Sequence, residues 1–233
     1  MARDPVSTPR RHQAIRCRLP VVFALSLLLT GMAACSQGTA APQSTTLTYE
    51  GPQTYTLKPG DWVPGTDIRY IQQTAEGARF LIADQPSVKQ KADSLDWTGS
   101  PAAGVRLEQH LRIVWFTQQA LYAAGTFKVE ISDVAPHPGA AFAEAPLSFQ
   151  APVTYRLAVG GRAPGTGLSY EGKTADGAKF GGIEGYPYRK AADSLSWEGQ
   201  LRPNVALRLD LRVLEYDEQA AQVGGIAHLW IKP

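Results

Sequence analysis

The stretch "RAPGTGLSYEGKTADGAKF" at residues 162–180 repeats, with few changes, the stretch "WVPGTDIRYIQQTAEGARF" at residues 62–80. The comparison extends along the chain at a fixed offset of one hundred residues without a gap. At that offset 29 of the positions from 47 to 132 are identical to their partners. Similarity at a fixed offset is typical of an internal repeat. We therefore interpret the protein as a tandem duplication.

The first 34 residues are typical of a secretory signal peptide. Five arginines and one aspartate lie in this leader, and the apolar run "LPVVFALSLLLTGMAAC" completes it. A basic stretch, a short apolar stretch and small residues are the parts of such a signal. Since the apolar run is shorter than the roughly 20 residues that a membrane-spanning helix needs, we predict a cleaved leader at 1–34.

The end of the leader, Met32-Ala33-Ala34-Cys35, resembles the lipobox of bacterial lipoproteins. The resemblance implies that Cys35 is acylated, becomes the first mature residue and anchors the protein in a membrane of the cell envelope, facing away from the cytoplasm. Ser36 resembles the residue that directs lipoproteins to the outer membrane, if the organism has one. The alternative is a free thiol after an ordinary secretory cleavage site.

Loss of the leader changes both the cysteine content and the charge. The only other cysteine, Cys17, is removed with it, so the mature chain cannot form an internal disulfide. The remaining chain has 18 basic and 20 acidic residues, a net charge near −2. This balance leaves no basic excess that would favour nucleic acid as a partner.

The mature chain divides into four segments. Residues 35–45 are polar and small and suit a flexible tether, and residues 133–145 are rich in Ala and Pro and suit a linker. The tether precedes β-domain repeat 1 at 46–132, and the linker separates this repeat from β-domain repeat 2 at 146–233. Each repeat has about 87 residues, which is long enough for a modest core of its own.

Apolar residues within each repeat alternate with a period of two, which is typical of half-buried strands. Pro-Gly and Ala-Glu-Gly turns separate the alternating segments, and Pro52 is expected to break the first pair of strands. We predict strands near 46–50, 53–58, 67–73, 78–83, 93–98, 105–115 and 120–131, and the same elements one hundred residues later. The predicted fold is all-β, with two tandem homologous antiparallel β-sandwich or small-barrel domains.

Most apolar residues shared by the repeats lie on the inward phase and are predicted to form the core. They are Ile68/Leu168, Tyr70/Tyr170, Phe80/Phe180, Leu95/Leu195, Trp97/Trp197, Val105/Val205, Leu107/Leu207 and Leu111/Leu211. The two tryptophans could instead stack on sugar rings, but each is in phase with a leucine two residues away.

Shared polar residues are better explained by turns than by catalysis. Gly65 and Gly165 follow proline, as in a type II turn, and Asp93 and Asp193 are predicted to bind local backbone N–H groups at a strand entry. The three mature histidines are not clustered with cysteine, and no nucleotide-binding or nucleophile motif occurs. We therefore predict no metal, no cofactor and no catalytic residue, although a catalytic site assembled in space stays open.

The repeats differ most at 181–191, where "GGIEGYPYRKA" replaces "LIADQPSVKQK" without one identity. Glycines here surround Tyr186, Tyr188, Arg189 and Lys190. Tyrosine offers an aromatic face with a hydroxyl, and arginine offers a planar set of donors, so these four residues are candidates for binding a glycan, a peptide or a carboxylate. The alternative is an exposed loop whose tyrosines pack onto the sheet edge.

These features favour a membrane-anchored envelope lipoprotein with a non-catalytic binding or structural role, toward an envelope glycan or a protein partner. The competing hypothesis is a hydrolase or transferase that acts on an envelope polymer through a site between the domains.

Overall fold

The computed structural model describes residues 46–142 and 144–233 of the chain. The predicted signal peptide at 1–34, the tether at 35–45 and the acylation site Cys35 lie outside these residues. The described part is built from β-strands, and all of its strand pairs are antiparallel, so the all-β prediction is confirmed. Within it, no helix is long and apolar enough to cross a membrane.

The first repeat forms two sheets. Its strands are β1 (Leu47–Leu57), β2 (Ile68–Thr74), β3 (Gly77–Ile82), β4 (Gln85–Lys89), β5 (Ser94–Ala102), β6 (Val105–Phe116) and β7 (Leu121–Ile131). The large sheet has the order β1-β7-β6-β5 and the small sheet has the order β2-β3-β4.

The second repeat forms the same two sheets with one added strand. Its strands are β8 (His137–Pro138), β9 (Leu147–Ala158), β10 (Ser169–Thr174), β11 (Gly177–Gly181), β12 (Tyr188–Arg189), β13 (Ser194–Arg202), β14 (Val205–Tyr216) and β15 (Ala220–Ile231). The large sheet has the order β8-β13-β14-β15-β9 and the small sheet has the order β10-β11-β12. Strands that lie one hundred residues apart in the sequence therefore take the same positions in their sheets, and within the described residues β8 alone has no counterpart.

The predicted break at Pro52 is wrong. β1 runs without interruption from Leu47 to Leu57, and Pro52 lies opposite Thr126 of β7. Because β1 is an edge strand of its sheet, it tolerates a residue that cannot donate a backbone hydrogen bond. The short strands β4 and β12 were not predicted, since neither shows a clear alternation.

The predicted core residues are buried, with one exception. Trp197 is 5% exposed, and its partner Trp97 is only partly buried. The other pairs are all buried: Ile68/Leu168, Tyr70/Tyr170, Phe80/Phe180, Leu95/Leu195, Val105/Val205, Leu107/Leu207 and Leu111/Leu211.

The inward side chains of the first large sheet divide between two partners. One group, which includes Leu111 and Ile113, packs with Phe80 and other residues of the small sheet. The other group belongs to a core cluster that continues into the second repeat, where the rings of Phe127 and Phe149 lie with centroids 4.8 Å apart. The two repeats therefore share part of one hydrophobic core.

Reciprocal contacts join the repeats at their Pro-Gly turns. Gly65 and Gly165 have φ values of +79° and +71°, which a type II turn requires and which favour glycine. A Cβ on Gly165 would overlap Leu47 Cδ1, and a Cβ on Gly65 would lie 3.3 Å from Leu147 Cδ1. Each repeat thus places a leucine on the turn of the other, as in a contact with approximate two-fold symmetry.

The strand-entry turns have the predicted form. The Asp93 carboxylate accepts the N–H of Gln90 at 2.7 Å, and the Asp193 carboxylate accepts the N–H of Lys190 at 2.7 Å. Both aspartates therefore stabilise turns, as their position before a strand indicated.

A second turn carries different residues in the two repeats. The Asp217 carboxylate accepts the N–H groups of Gln219 at 2.7 Å and Ala220 at 2.8 Å, while the Thr117 hydroxyl accepts the matching N–H groups in the first repeat at 3.2 Å. The hydrogen bond from Ala220, followed by that from Gln219, lowers the pKa of Asp217 below its ordinary value of 3.8.

Two tyrosine hydroxyls of the first repeat, those of Tyr49 and Tyr55, are buried. Burial is the main cause that raises the pKa of Tyr49 above its ordinary value of 10.0, and the neighbouring Tyr155 raises it further. Burial also raises the pKa of Tyr55 to about 12. Both tyrosines therefore favour the protonated form in the folded protein.

The segment between the repeats pairs with the second repeat. Ala135 donates its N–H to Leu201 O at 3.0 Å, and β8 lies opposite Gly199 and Gln200. We call residues 135–141 the strap. It was predicted as part of a linker because its Ala and Pro content shows no alternation.

Candidate functional site

The candidate binding residues lie where the small sheets of the two repeats differ. In the first repeat, β3 and β4 are joined by a tight turn at Ala83 and Asp84, which have φ values of +48° and +61°. In the second repeat β11 ends at Gly181 and β12 contains only Tyr188 and Arg189. The connection 182–187 is therefore a loop, which we call the tyrosine loop.

A glycine fixes the start of the tyrosine loop. Gly182 has a φ of +72°, and a Cβ at this position would overlap the carbonyl oxygen of Gly167. The chain therefore passes closer to Gly167 than any other residue type allows.

The two tyrosines lie next to each other. Their ring centroids are 5.2 Å apart and the ring planes are tilted by 56°. Tyr186 is 64% exposed, while Tyr188 is partly buried. The structure therefore brings the two predicted aromatic residues together and leaves one of them accessible to a ligand.

Arg189 holds the tyrosine loop in place. Its Nε donates to Ser194 O at 2.9 Å, and its Nη1 donates to Tyr188 O at 2.9 Å and to Tyr186 O. The planar donor set that sequence reasoning assigned to a ligand is thus directed in large part at carbonyl groups of the protein. We therefore assign Arg189 a role in positioning the two tyrosines.

Lys190 lies at the end of this region. Its backbone N–H donates to Asp193, and its side chain makes no ion pair with the residues that the structure describes. A nearby pair, Lys179 and Glu171, is 2.9 Å apart, and the hydrogen bond from Lys179 to Glu171 is the main cause that raises the pKa of Lys179. Of the two candidate cations, Arg189 is therefore held by carbonyl groups of the protein, whereas the Lys190 side chain is in no ion pair with the described residues.

Two grooves flank the tyrosine loop and meet at Arg189 and Ser194. The tyrosine groove has a volume of about 590 Å³ and is lined by Ala175, Asp176, Tyr186, Tyr188, Arg189, Lys190, Asp193 and Ser194. The strap groove has a volume of about 570 Å³ and is lined by Pro138, Gly139, Ala140, Gly182, Ile183, Glu184, Arg189, Ser194, Ser196, Trp197, Glu198 and Arg208. Both volumes lie within the range that is typical of small-molecule sites.

The strap groove was not predicted from the sequence. Trp197 lies in its lining, as do two carboxylates and two guanidinium groups. Three of these charged groups already have partners, because Arg208 pairs with Asp210 at 2.9 Å, Glu198 accepts the N–H of Ala141, and Arg189 donates to backbone carbonyl groups. The groove depends on the strap, which passes so close to Gly199 that a Cβ there would overlap His137 O. Glycine at this position is no sequence signal for the strap, because Gly99 and Gly199 both also lie against the ring of the tryptophan two residues earlier.

The first repeat has a groove at the matching position. Its volume is about 450 Å³, and its lining includes Ala75, Glu76, Pro86 and Val88 where the second repeat has Ala175, Asp176, Tyr186 and Tyr188. Both repeats therefore have a groove at this position, and the groove of the second repeat is the one lined by aromatic residues.

Neither groove contains a metal-binding cluster, since no group of three or more His, Cys, Asp or Glu in residues 46–142 and 144–233 could hold a metal ion. No protein-family model matches this chain, and no curated protein and no solved structure is significantly similar to it.

Proposed function

We propose that the protein is a cell-envelope lipoprotein, anchored through an acylated Cys35, whose second repeat binds an envelope glycan in the tyrosine groove. The leader with its Met32-Ala33-Ala34-Cys35 end supports the location. The observation that carries the binding role is the exposed Tyr186 beside Tyr188 in a groove that lacks aromatic residues in the first repeat.

The lining of the tyrosine groove suits a sugar. A pyranose ring presents C–H groups on one face, which pack on an aromatic ring, and hydroxyl groups at its rim, which need hydrogen-bond partners. Tyr186 and Tyr188 supply the aromatic surface, and Asp176, Asp193 and Ser194 supply polar atoms beside it. A rigid aromatic pair loses little conformational entropy when it binds, which favours a ligand contact over a purely packing role.

Binding is tested with a pulldown on insoluble peptidoglycan. The protein is the mature chain from residue 35 with Cys35→Ser, which keeps it soluble, and the variant adds Tyr186→Ala and Tyr188→Ala. We expect the variant to bind at least about tenfold more weakly, a loss of about 1.4 kcal/mol or more, with little change in its melting temperature because Tyr186 is mostly exposed and Tyr188 is only partly buried.

The matched control changes Pro86 and Val88 to Ala at the equivalent positions of the first repeat. This control should bind like the parent. Full binding by the double-tyrosine variant, or equal losses in both variants, would contradict a glycan site in the tyrosine groove.

The anchor is tested separately. Metabolic labelling with a fatty acid should mark the natural protein and not the Cys35→Ser variant, which should be released from the membrane fraction. Labelling that persists in the variant would contradict acylation at Cys35.

A further inference from the structure

The strap groove is built on the indole ring of Trp197. Only 5% of this residue is exposed, and it lies in the lining of the groove. At one end of the ring, a Cβ on Gly199 would overlap both Trp197 Cη2 and His137 O of the strap. At the other end, Trp197 Nε1 lies 3.6 Å from the position of a Cβ on Gly167, which contacts the first residue of the tyrosine loop. The ring therefore extends from the strap to the tyrosine loop.

The rest of the lining combines apolar and charged groups. Ile183 adds apolar surface, and Glu184 adds an exposed carboxylate. Arg208 pairs with Asp210 through its Nε at 2.9 Å, while 49% of its side chain stays exposed. A guanidinium group has five N–H donors, so the Nη donors of Arg208 are left for a ligand in the groove.

This lining suits a peptide better than a neutral sugar. A peptide offers N–H groups to a carboxylate such as Glu184, and it offers a terminal carboxylate to Arg208. Its small apolar side chains can pack on Ile183 and Trp197. Hydrogen bonds between two charged groups are roughly twice as strong as those between neutral groups, so a carboxylate gains more from Arg208 than a hydroxyl does.

We propose that the strap groove binds the peptide of a peptide-bearing glycan, and that Arg208 pairs with a carboxylate of this peptide. The strap groove and the tyrosine groove meet at Arg189 and Ser194, so a sugar in the tyrosine groove has its substituent next to the strap groove. The position of the sugar rests on the proposed function, and the strap groove adds the chemical class of the substituent.

The first repeat lacks the charge that this contact needs. At the offset of one hundred residues, Arg208 corresponds to Glu108 and Glu184 corresponds to Asp84. A carboxylate at position 108 would repel the carboxylate of a peptide instead of pairing with it. Selection of a peptide therefore belongs to the second repeat, and Glu108 supplies a matched control.

The test compares two probes on the mature chain with Cys35→Ser. One probe is a soluble disaccharide fragment of peptidoglycan, and the other is the same disaccharide with its peptide attached. We expect the peptide-bearing probe to bind at least about tenfold more tightly, as measured by calorimetry. In NMR spectra it should shift the indole N–H resonance of Trp197 and the amide of Ser196, and the plain disaccharide should leave both unchanged.

Substitutions at Arg208 make the test specific. Arg208→Gln should bring the affinities of the two probes close together without weakening the plain disaccharide, and Arg208→Lys, which keeps the charge, should retain part of the preference. Glu108→Gln should bind both probes like the parent. Because about half of the Arg208 side chain is exposed, neither Arg208 variant should melt far below the parent.

The outcomes separate this proposal from the glycan site. Equal affinities of the two probes in the parent, or a preference that Arg208→Gln leaves unchanged, would overturn the peptide site while the glycan site stands. Shifts at Trp197 and Ser196 with the peptide-bearing probe, together with no binding of the plain disaccharide, would support the peptide site and contradict the glycan site.

Discussion

The reciprocal contact between the repeats gives the sharpest test of how they pack. Gly165→Ala has two costs. An alanine at φ +71° pays a left-handed conformational penalty of roughly 1–2 kcal/mol, and its Cβ overlaps Leu47 Cδ1, which as overpacking costs about 1–3 kcal/mol. The expected total is about 2–5 kcal/mol.

A double-mutant cycle separates the two costs. Leu47 is 7% exposed, so Leu47→Ala alone should cost about 2–5 kcal/mol. With Leu47 shortened, the closest remaining neighbour of the new Cβ is Leu201 Cδ2 at 3.1 Å, so Gly165→Ala should cost mainly its backbone penalty of roughly 1–2 kcal/mol. The coupling energy between the two substitutions should therefore be about 1–3 kcal/mol.

The chain supplies the matched control. Leu147 occupies the same place on the other repeat but contacts Gly65 instead of Gly165. Leu147→Ala and Gly165→Ala should therefore be additive within about 0.5 kcal/mol. The assay is urea unfolding at equilibrium, followed by tryptophan fluorescence with the slope held constant across variants. Additivity of Leu47→Ala with Gly165→Ala, or equal coupling in both cycles, would refute the reciprocal packing.

Three further outcomes follow from burial and from the pKa shifts. Trp197→Ala should cost about 3–5 kcal/mol in urea unfolding, and Trp97→Ala should cost less because Trp97 is partly exposed. The pKa of Asp217 is lower in the folded protein than its ordinary value of 3.8, so this carboxylate stabilises the fold above pH 3.8, and the stabilisation is lost as pH falls through the folded pKa. Asp217→Thr should therefore make the melting temperature less dependent on pH in acid. The pKa of Tyr49 is raised in the folded protein, so the protonated hydroxyl stabilises the fold below pH 10.0, and this stabilisation is lost as pH rises above that value. Tyr49→Phe should therefore reduce unfolding at alkaline pH, and Tyr55 should account for part of the pH dependence that is left. An unchanged pH profile in either variant would contradict the corresponding assignment.

Alternation of apolar residues predicted the strands and the core because it reports local geometry. It shows which side chains of a strand are buried, and Leu107 and Leu111 are both buried as predicted. It does not show what they are buried against. Leu111 packs with the small sheet of its own repeat, whereas Leu107 belongs to the core that continues into the second repeat. The shared core therefore could not be derived from the pattern.

The candidate site was predicted in part for a similar reason. Loss of identity between the repeats located Tyr186 and Tyr188, because a difference between two otherwise similar stretches of sequence indicates a local change. The hydrogen bonds of Arg189 to loop carbonyls depend on the path of the loop, which composition does not determine. The strap groove depends on β8, whose two residues carry no periodic signal.

The most direct test of the proposed glycan site is an NMR titration of the mature Cys35→Ser chain with a soluble disaccharide fragment of peptidoglycan. Backbone amide shifts should change around Ala175, Tyr186, Tyr188 and Ser194, which line the tyrosine groove. The matching groove of the first repeat, at Ala75 and Val88, should show no change. Shift changes of equal size in both grooves, or none in the tyrosine groove at saturating fragment, would contradict glycan binding by the second repeat.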